Sequence, residues 1–389
     1  MDFGFTLEQQ AFRLEIRDFL AKEIPPDWCG RHFTWINEEE WQQARAFDRK
    51  LAARGWLTLA WPREYGGQAR SHIEQLIFLE EMGYHHAPNG GGWSHGPVFV
   101  GPTIMHYGSL EQKRRFLPPI SRGEEIWCQG FSEPDAGSDL ASLQTRAVRD
   151  GDEYVLSGEK HFVGQGHRSE WCIVAARTDQ AAPKHRGLSM FLLHMRTPGV
   201  TVNPMHTLPR YGAQWQILLD NARIPVSQLV GEENRGFYQM MSTMDFERNR
   251  IDHAAETARV IDDLAAYART RGLLGNAVLR HKLAEMAVET RVAILLNYRI
   301  AWQLNAGKIP NYEASIAKLA TERARQRAAA LGMEVLGLHS QLSLGDSRSP
   351  DGGKLSDLYL AMVSVTIVGG TSEIQRNVIA QRGLGLPRG

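Results

Sequence analysis

The chain has 389 residues, 43% of them hydrophobic and 23% charged, which is enough apolar material for a large core spread over two or three domains. Lysine plus arginine and aspartate plus glutamate balance at 44 each, so no global electrostatic attraction to nucleic acid or to an anionic membrane is expected, and the partner is a small molecule. The three cysteines, Cys29, Cys128 and Cys172, lack C-x-x-C spacing, which disfavours a disulfide framework and a zinc site and fits a reducing cytoplasm.

The first segment, "MDFGFTLEQQAFRLEIRDFLAKEIPP", is an amphipathic helix with acidic residues rather than an export signal. Thr6 and Gln9 have capping-box spacing, and Leu7, Ala11, Leu14, Phe19, Leu20 and Ile24 follow at helical spacing. A second helix is predicted after Asn37 and another through "SHIEQLIFLEEMGY", making residues 1–125 an N-terminal helical domain. From "IWCQGFSEP" the texture becomes short apolar runs separated by turn residues. "TRAVRDGDEYVLSG" reads as a hairpin, and "WCIVAART", "GLSMFLLHM", "GVTV" and "WQILLD" read as strands. Residues 126–235 are therefore a central β domain, barrel or sandwich. Long apolar-striped helices return after Gly236, so that 236–389 reads as a helical bundle with one long polar loop at 343–354. The fold class is α+β multidomain, and no apolar run reaches the ~18 residues of a membrane span.

Several stretches invite chemistry. "GWSHG" at 92–96 matches a nucleophile elbow, but Ser94 has no strand before it, and a glycine-rich loop is the better reading. His85 and His86 are adjacent rather than at helical spacing, with no Asp/Glu/Cys cluster around them, so no metal site is expected against a solvated helix end. "GFSEPDAGSD" at 130–139 needs specific turns at a domain junction and reads equally as an ordinary connection or a ligand loop. Phe237, Met240, Met241, Met244, Ile251, Ala254, Ala255 and Ala258 draw one apolar stripe whose next slot is Glu247 or Arg248. A carboxylate there is partly desolvated and usable as a base, although periodicity alone favours an exposed Glu–Arg pair. In "VTIVGGTSEIQRN", 365–377, a buried β-branched run enters two glycines, and Ser372 with Gln375 has capping-box spacing. The open donors of that helix start suit an anionic or carbonyl ligand, while Gly369 itself offers no side chain.

Taken together these motifs resemble the acyl-CoA dehydrogenases along essentially the whole chain. The likeness runs through "WPREYGG", "YGSLEQKRRFLPPISRGEEIWCQGFSEPDAGSD", "LSGEKHFVGQG", "IPVSQLVGEENRGF" and "FERNR" to "GGTSEIQRNVIAQRGLGLPR". The resemblance implies a helical domain, a β domain and a C-terminal four-helix bundle, with FAD as cofactor. Phe131 and Ser132 would hydrogen-bond the isoalloxazine, Ser138 would lie toward the FAD pyrophosphate and the CoA, and Phe162 would pack beside the flavin. Arg271 would reach the FAD of a neighbouring subunit, and Thr371 and Glu373 would lie at its adenosine side. Many members place a catalytic glutamate where this chain has Gly369, whereas a subset similar to the isovaleryl-CoA and long-chain enzymes carries it before an arginine, matching Glu247-Arg248. The implied reaction is α,β-dehydrogenation of an acyl-CoA to a trans-2-enoyl-CoA. Glu247 would be the base, the Gly369 N–H would hold the thioester carbonyl, and Asp245 and Arg248 would lie at the substrate. An electron-transfer flavoprotein would be the acceptor, and the assembly a homotetramer.

The chain departs from the family pattern at a few positions. Gly164 replaces a serine or threonine at flavin N5. Leu273 and Leu274 replace a polar-aromatic pair in the inter-subunit FAD contact. "YLAMV" lacks an arginine-aspartate pair, and Glu334 and Leu338 stand for a glutamine and a glycine. These departures keep a heteromeric assembly and a variant flavin reaction as alternatives.

Overall fold

The computed structural model describes residues 4–28, 37–90, 95–208, 211–247, 250–308 and 310–387, without the side chains of 211–213 and 243–247. The side chains of Asp245 and Glu247 are thus outside the described residues, as are Cys29, Trp93, Ser94 and Arg248. Five helices come first: α1 (Leu7–Glu23), α2 (Glu38–Ala53), α3 (His72–Tyr84), α4 (Gly101–Tyr107) and α5 (Leu110–Ser121). The strands are β1 (Trp127–Gly130), β2 (Arg146–Asp150), β3 (Glu153–Val163), β4 (Trp171–Arg177), β5 (Leu188–His194), β6 (Val200–His206), β7 (Tyr211–Pro225) and β8 (Leu229–Val230). The helices α6 (Gly236–Glu247), α7 (Ile251–Thr270), α8 (Ala277–Asn305), α9 (Tyr312–Leu336), α10 (Lys354–Val365) and α11 (Ser372–Val378) complete the chain. Local chemistry starts the early helices as the sequence predicts: Thr6 with Gln9 and Asn37 with Glu40 both close capping boxes.

The chain packs as two units. A sheet unit comprises Asn37–Ala69 and Asn89–Glu247, and a helical unit comprises Met1–Ile36, Arg70–Pro88 and Arg248–Gly389. In the sheet unit the strand order is β6-β7-β3-β2-β4-β5-β8, with β1 parallel to β4. Alternation along β4 explains its composition. Trp171, Ile173 and Ala175 join one core while Cys172, Val174 and Ala176 join another, so the whole strand is buried. Helix α5 covers the first face with Phe116, Leu117 and Ile120, and the Phe116 ring meets Trp127 and Trp171 edge-on at 5.5 and 4.9 Å. Strand β2 meets β4 through the pair Arg146↔Arg177, yet Leu156, Ile217 and Leu219 share the second core with Val174 and Phe191. The sheet therefore curls over its own side chains in a barrel-like form, one of the two forms the spacing allows.

In the helical unit α7, α8 and α9 pack together through Ile261, Leu264, Leu283, Met286, Ala324, Ala328 and Leu331, and α10 packs on α9. A second cluster joins Leu76 of α3 to Ile251, Ala254, Ala293 and Ile294. This corrects the single stripe drawn across Glu247. Phe237, Met240 and Met241 of α6 pack in the sheet unit, whereas Ile251, Ala254 and Ala258 of α7 pack in the helical unit. Glu247 closes α6 rather than sitting mid-stripe, because the helix ends there and a new one starts at Ile251.

Candidate functional site

The loop that leaves β1 is anchored from beneath. Phe131 is buried, with its ring edge-on to Phe99 at 5.6 Å, and its carbonyl accepts a hydrogen bond from Lys160 Nζ at 3.2 Å. Lys160 occupies an inward position of β3, is 0% exposed, and also donates to Glu133 Oε1 at 2.7 Å. The Glu133 carboxylate accepts the backbone N–H groups of Gln144 and Thr145 at 2.6 and 2.9 Å. Burial pushes this carboxyl upward, but the Lys160 charge and the backbone donors outweigh it and hold it below its ordinary range. Burial lowers the Lys160 ammonium to about 8 against the attraction of Glu133. The neighbouring His161 N–H donates to the Ser132 carbonyl at 2.9 Å, so β3 fixes three successive loop residues.

With the backbone so held, the hydroxyls of Ser132 and Ser138 have no hydrogen-bond partner among the described residues. Phe162 follows His161 with φ +57° and lies 59% exposed. A left-handed backbone under a bulky aromatic is strained, and here a register shift of β3 against β7 between Lys160 and Val163 imposes it. Two residues on, a side chain at Gly164 would meet His95 Cε1 at 3.7 Å, ordinary contact. Phe131, Ser132, Phe162 and Gly164 are thus brought together by one hydrogen-bonded strand and loop.

In the helical unit the glycine turn differs from its sequence reading. "VTIV" is not a buried entry strand. Val365 closes α10 and is buried, but Ile367 and Val368 are 60% and 51% exposed because the chain has already left the helix. Gly369 and Gly370 have φ +63° and +90°, and this double left-handed step brings Thr371, not Ser372, to the cap of α11. Thr371 Oγ1 accepts the Ile374 N–H at 3.2 Å, and the Ser372 N–H is taken by the Thr366 carbonyl. Those helix-start donors are therefore satisfied internally. Gln375 does not close a capping box; its Nε2 turns back to the carbonyls of Gly369 and Gly370 at 3.3 and 3.1 Å. Among the described residues the Gly369 N–H has no acceptor.

The other assigned residues stand elsewhere in this unit. Arg271 caps the C-terminus of α7, exposed, with its guanidinium over Tyr267 at 5.5 Å. Leu274 packs on the cluster holding Leu331, Val335 and Leu336 toward the end of α9, while its carbonyl accepts from Arg280. The glycine turn rests instead on Lys318, near the start of α9. Glu373 is exposed and pairs with Arg376 at 3.3 Å, and Glu334 pairs with Lys282 at 2.7 Å. Leu338 is exposed.

Three stretches match the domains of one family: residues 6–124 its N-terminal domain, 128–220 its middle domain and 234–384 its C-terminal domain. The chain belongs to the acyl-CoA dehydrogenase family. It is 33% identical to acyl-CoA dehydrogenase IpdE1 of Mycobacterium tuberculosis over 97% of this chain and 98% of that one. A solved steroid acyl-CoA dehydrogenase, Tcur3481-Tcur3483, superposes with a TM-score of 0.90 at 30% identity, covering 100% of each chain. The ChsE4-ChsE5 complex from Mycobacterium tuberculosis gives 0.86 at 31% identity, again over 100% of each chain. As an acyl-CoA dehydrogenase the protein is an FAD-dependent oxidoreductase acting on CH–CH bonds, with helical N- and C-terminal domains and a sheet domain between them in sequence.

The sheet unit fits a bound flavin. The Ser132 hydroxyl, without a partner among the described residues, sits on a loop segment held by β3, and the same strand carries the exposed Phe162 on a strained backbone toward Gly164, where a side chain would meet only ordinary contact. Sequence reasoning missed Lys160 and Glu133, which hold that loop, and Lys318 and Glu322 at the glycine turn, and it read Gln375 as a capping residue where the structure turns it onto the glycine carbonyls. A lysine at an inward strand position was the available signal for the first pair.

Proposed function

We propose that the protein oxidises a bulky, ring-bearing acyl-CoA at its α,β carbon–carbon bond, giving a trans-2-enoyl-CoA. The carrying observation is the Gly369 N–H, without an acceptor among the described residues, in a turn without a side chain, which offers a donor to the thioester carbonyl and leaves room beside the α-carbon. The likeness to a steroid acyl-CoA dehydrogenase supports a polycyclic acyl group. In this reading Glu247, the last residue of α6, takes the α-proton, and Arg248, Asp245 and Ser138 hold the substrate. Ser132, Phe131, Phe162 and Ser138 orient FAD, with Arg271, Leu274, Thr371 and Glu373 at its far end, Arg271 serving the cofactor of another subunit. Bound FAD supplies the acceptor for the β-hydride, and an electron-transfer flavoprotein reoxidises it. The domain limits of 1–125, 126–235 and 236–389 belong to the same proposal.

The test is an anaerobic visible spectrum of the purified protein with a panel of short, branched, long and polycyclic acyl-CoA thioesters. Bleaching selective for the polycyclic member is expected. Bleaching by straight-chain thioesters alone would sink the substrate class, and a Glu247→Gln enzyme that bleaches at the wild-type rate would sink the base. A second reading, one subunit of a heteromer, is favoured by the likeness to the ChsE4-ChsE5 complex and by Ile367 and Val368, exposed in the single chain. It predicts poor FAD retention until a partner chain is co-expressed.

A further inference from the structure

Two consecutive left-handed glycines are the least self-supporting turn a chain can form, since nothing in their own covalent geometry prefers φ +63° and +90° over the alternatives. In this protein the turn is held from one side by two buried side chains. Lys318 Nζ donates to the Gly370 carbonyl at 2.9 Å and pairs with Glu322 at 2.6 Å one helical turn further along α9. Both members of the pair are buried, at 7% and 8% exposure. Gln375, 0% exposed, supplies the second anchor on the carbonyls of Gly369 and Gly370. Lys318 Cε lies 3.4 Å from where a Gly369 Cβ would stand, so the lysine stem also forms the wall behind that residue.

Burying an ammonium–carboxylate pair costs several kcal/mol of lost hydration for each ion, and an apolar pair of the same volume packs as well or better. The pair therefore calls for a reason beyond stability, and the backbone group on which Lys318 acts is the Gly370 carbonyl. With both glycine carbonyls fixed, the φ of Gly369 sets the direction of its N–H, which, like that of Gly370, has no acceptor among the described residues.

We propose that Lys318, with Glu322 as its counter-ion, is a positioning residue that locks the Gly369–Gly370 turn and so aims the Gly369 N–H at the thioester carbonyl. The inference rests on the reading of Gly369 given above. Lys318 touches neither substrate nor flavin in this scheme and acts through the peptide planes it anchors.

Two measurements on the FAD-loaded protein separate the inference from that reading. The first is amide hydrogen exchange over residues 366–378 without substrate, comparing wild type, Lys318→Met and Lys318→Arg. Loss of a charge-assisted hydrogen bond is expected to speed exchange of the paired Ser372 and Ile374 amides, which close the turn, about tenfold or more in Lys318→Met, with Lys318→Arg close to wild type. The second is the limiting rate of flavin bleaching with whichever thioester of the panel reduces the wild-type enzyme. That rate is expected to fall about tenfold in Lys318→Met, with little change in half-saturation and recovery in Lys318→Arg. Unchanged exchange in Lys318→Met overturns the inference and leaves the Gly369 reading untouched. Faster exchange with unchanged bleaching overturns both, because the direction of the N–H would then not matter to the chemistry. If Lys318→Met does not fold, Lys318→Met/Glu322→Gln removes both charges and carries the same two expectations.

Discussion

Each unit of the protein anchors a loop with a buried lysine–glutamate pair, and the two pairs resolve their charge in opposite ways. In the sheet unit the Glu133 carboxyl stays below its ordinary range while Lys160 falls to about 8. In the helical unit burial drives the Glu322 carboxyl up to about 7, even though Lys318, Arg325 and Arg250 pull the other way. The difference lies in the backbone. Glu133 faces the N–H groups of Gln144 and Thr145, released by the loop before β2, whereas Glu322 sits mid-helix where every nearby N–H already serves the helix. A buried carboxylate keeps its charge when the backbone, as well as a cation, solvates it.

The largest effect expected from this contrast is in Lys160→Met. It strands an ionised Glu133 and frees the Phe131 carbonyl, so denaturant unfolding should show a loss of about 3–5 kcal/mol, with FAD released on gel filtration. Lys318→Met should cost less near neutral pH, because Glu322 is able to bind a proton once its partner is gone. A loss equal to that of Lys160→Met at pH 6.5 would break the comparison.

Proton linkage sharpens it further. Glu133 has a depressed folded value, so its stabilisation is present above the ordinary carboxyl value of 4.5 and is lost as pH falls through the folded value. Glu322 has a raised value, so the folded state binds more protons than the unfolded state between 4.5 and about 7, and its contribution declines as pH rises across that window. Unfolding free energies measured from about pH 3 to pH 7.5 should therefore show slope changes of opposite sign, that of Glu133 below the ordinary value of 4.5 and that of Glu322 between 4.5 and about 7. Glu322→Gln removes a falling component, and Glu133→Gln removes a gain that sets in as the unfolded carboxyl ionises.

The smallest effect is at Gly164. Its surroundings are open and its backbone is ordinary, so Gly164→Ser should leave stability within about 0.5 kcal/mol, and only the visible spectrum of the bound flavin should move.

The candidate site was unevenly legible in the sequence. The loop 130–139 and the glycine turn stood out because proline, glycine and short polar residues leave few backbone choices. Lys318 did not, since it looks like an ordinary surface charge until neighbouring elements close over it, and Lys160 offered only its inward position on β3. Glu247 was reached through a stripe that the structure divides between two helices in two different cores, so that periodicity no longer supports it and the family resemblance alone does.

The sequence by itself determined what short-range physics controls: the capping boxes at Thr6 and Asn37, the alternation that buries β4 on both faces, the order of helices, strands and helices, and the motifs that mark the family. Tertiary structure decided what depends on residues far apart in the chain. It moved the cap of α11 from Ser372 to Thr371, left Ile367 and Val368 exposed, and set Glu133 beside Lys160 and Lys318 beneath Gly370. Local preferences act over a few residues, whereas the cost of burying a charge is settled by whichever distant groups arrive to solvate it.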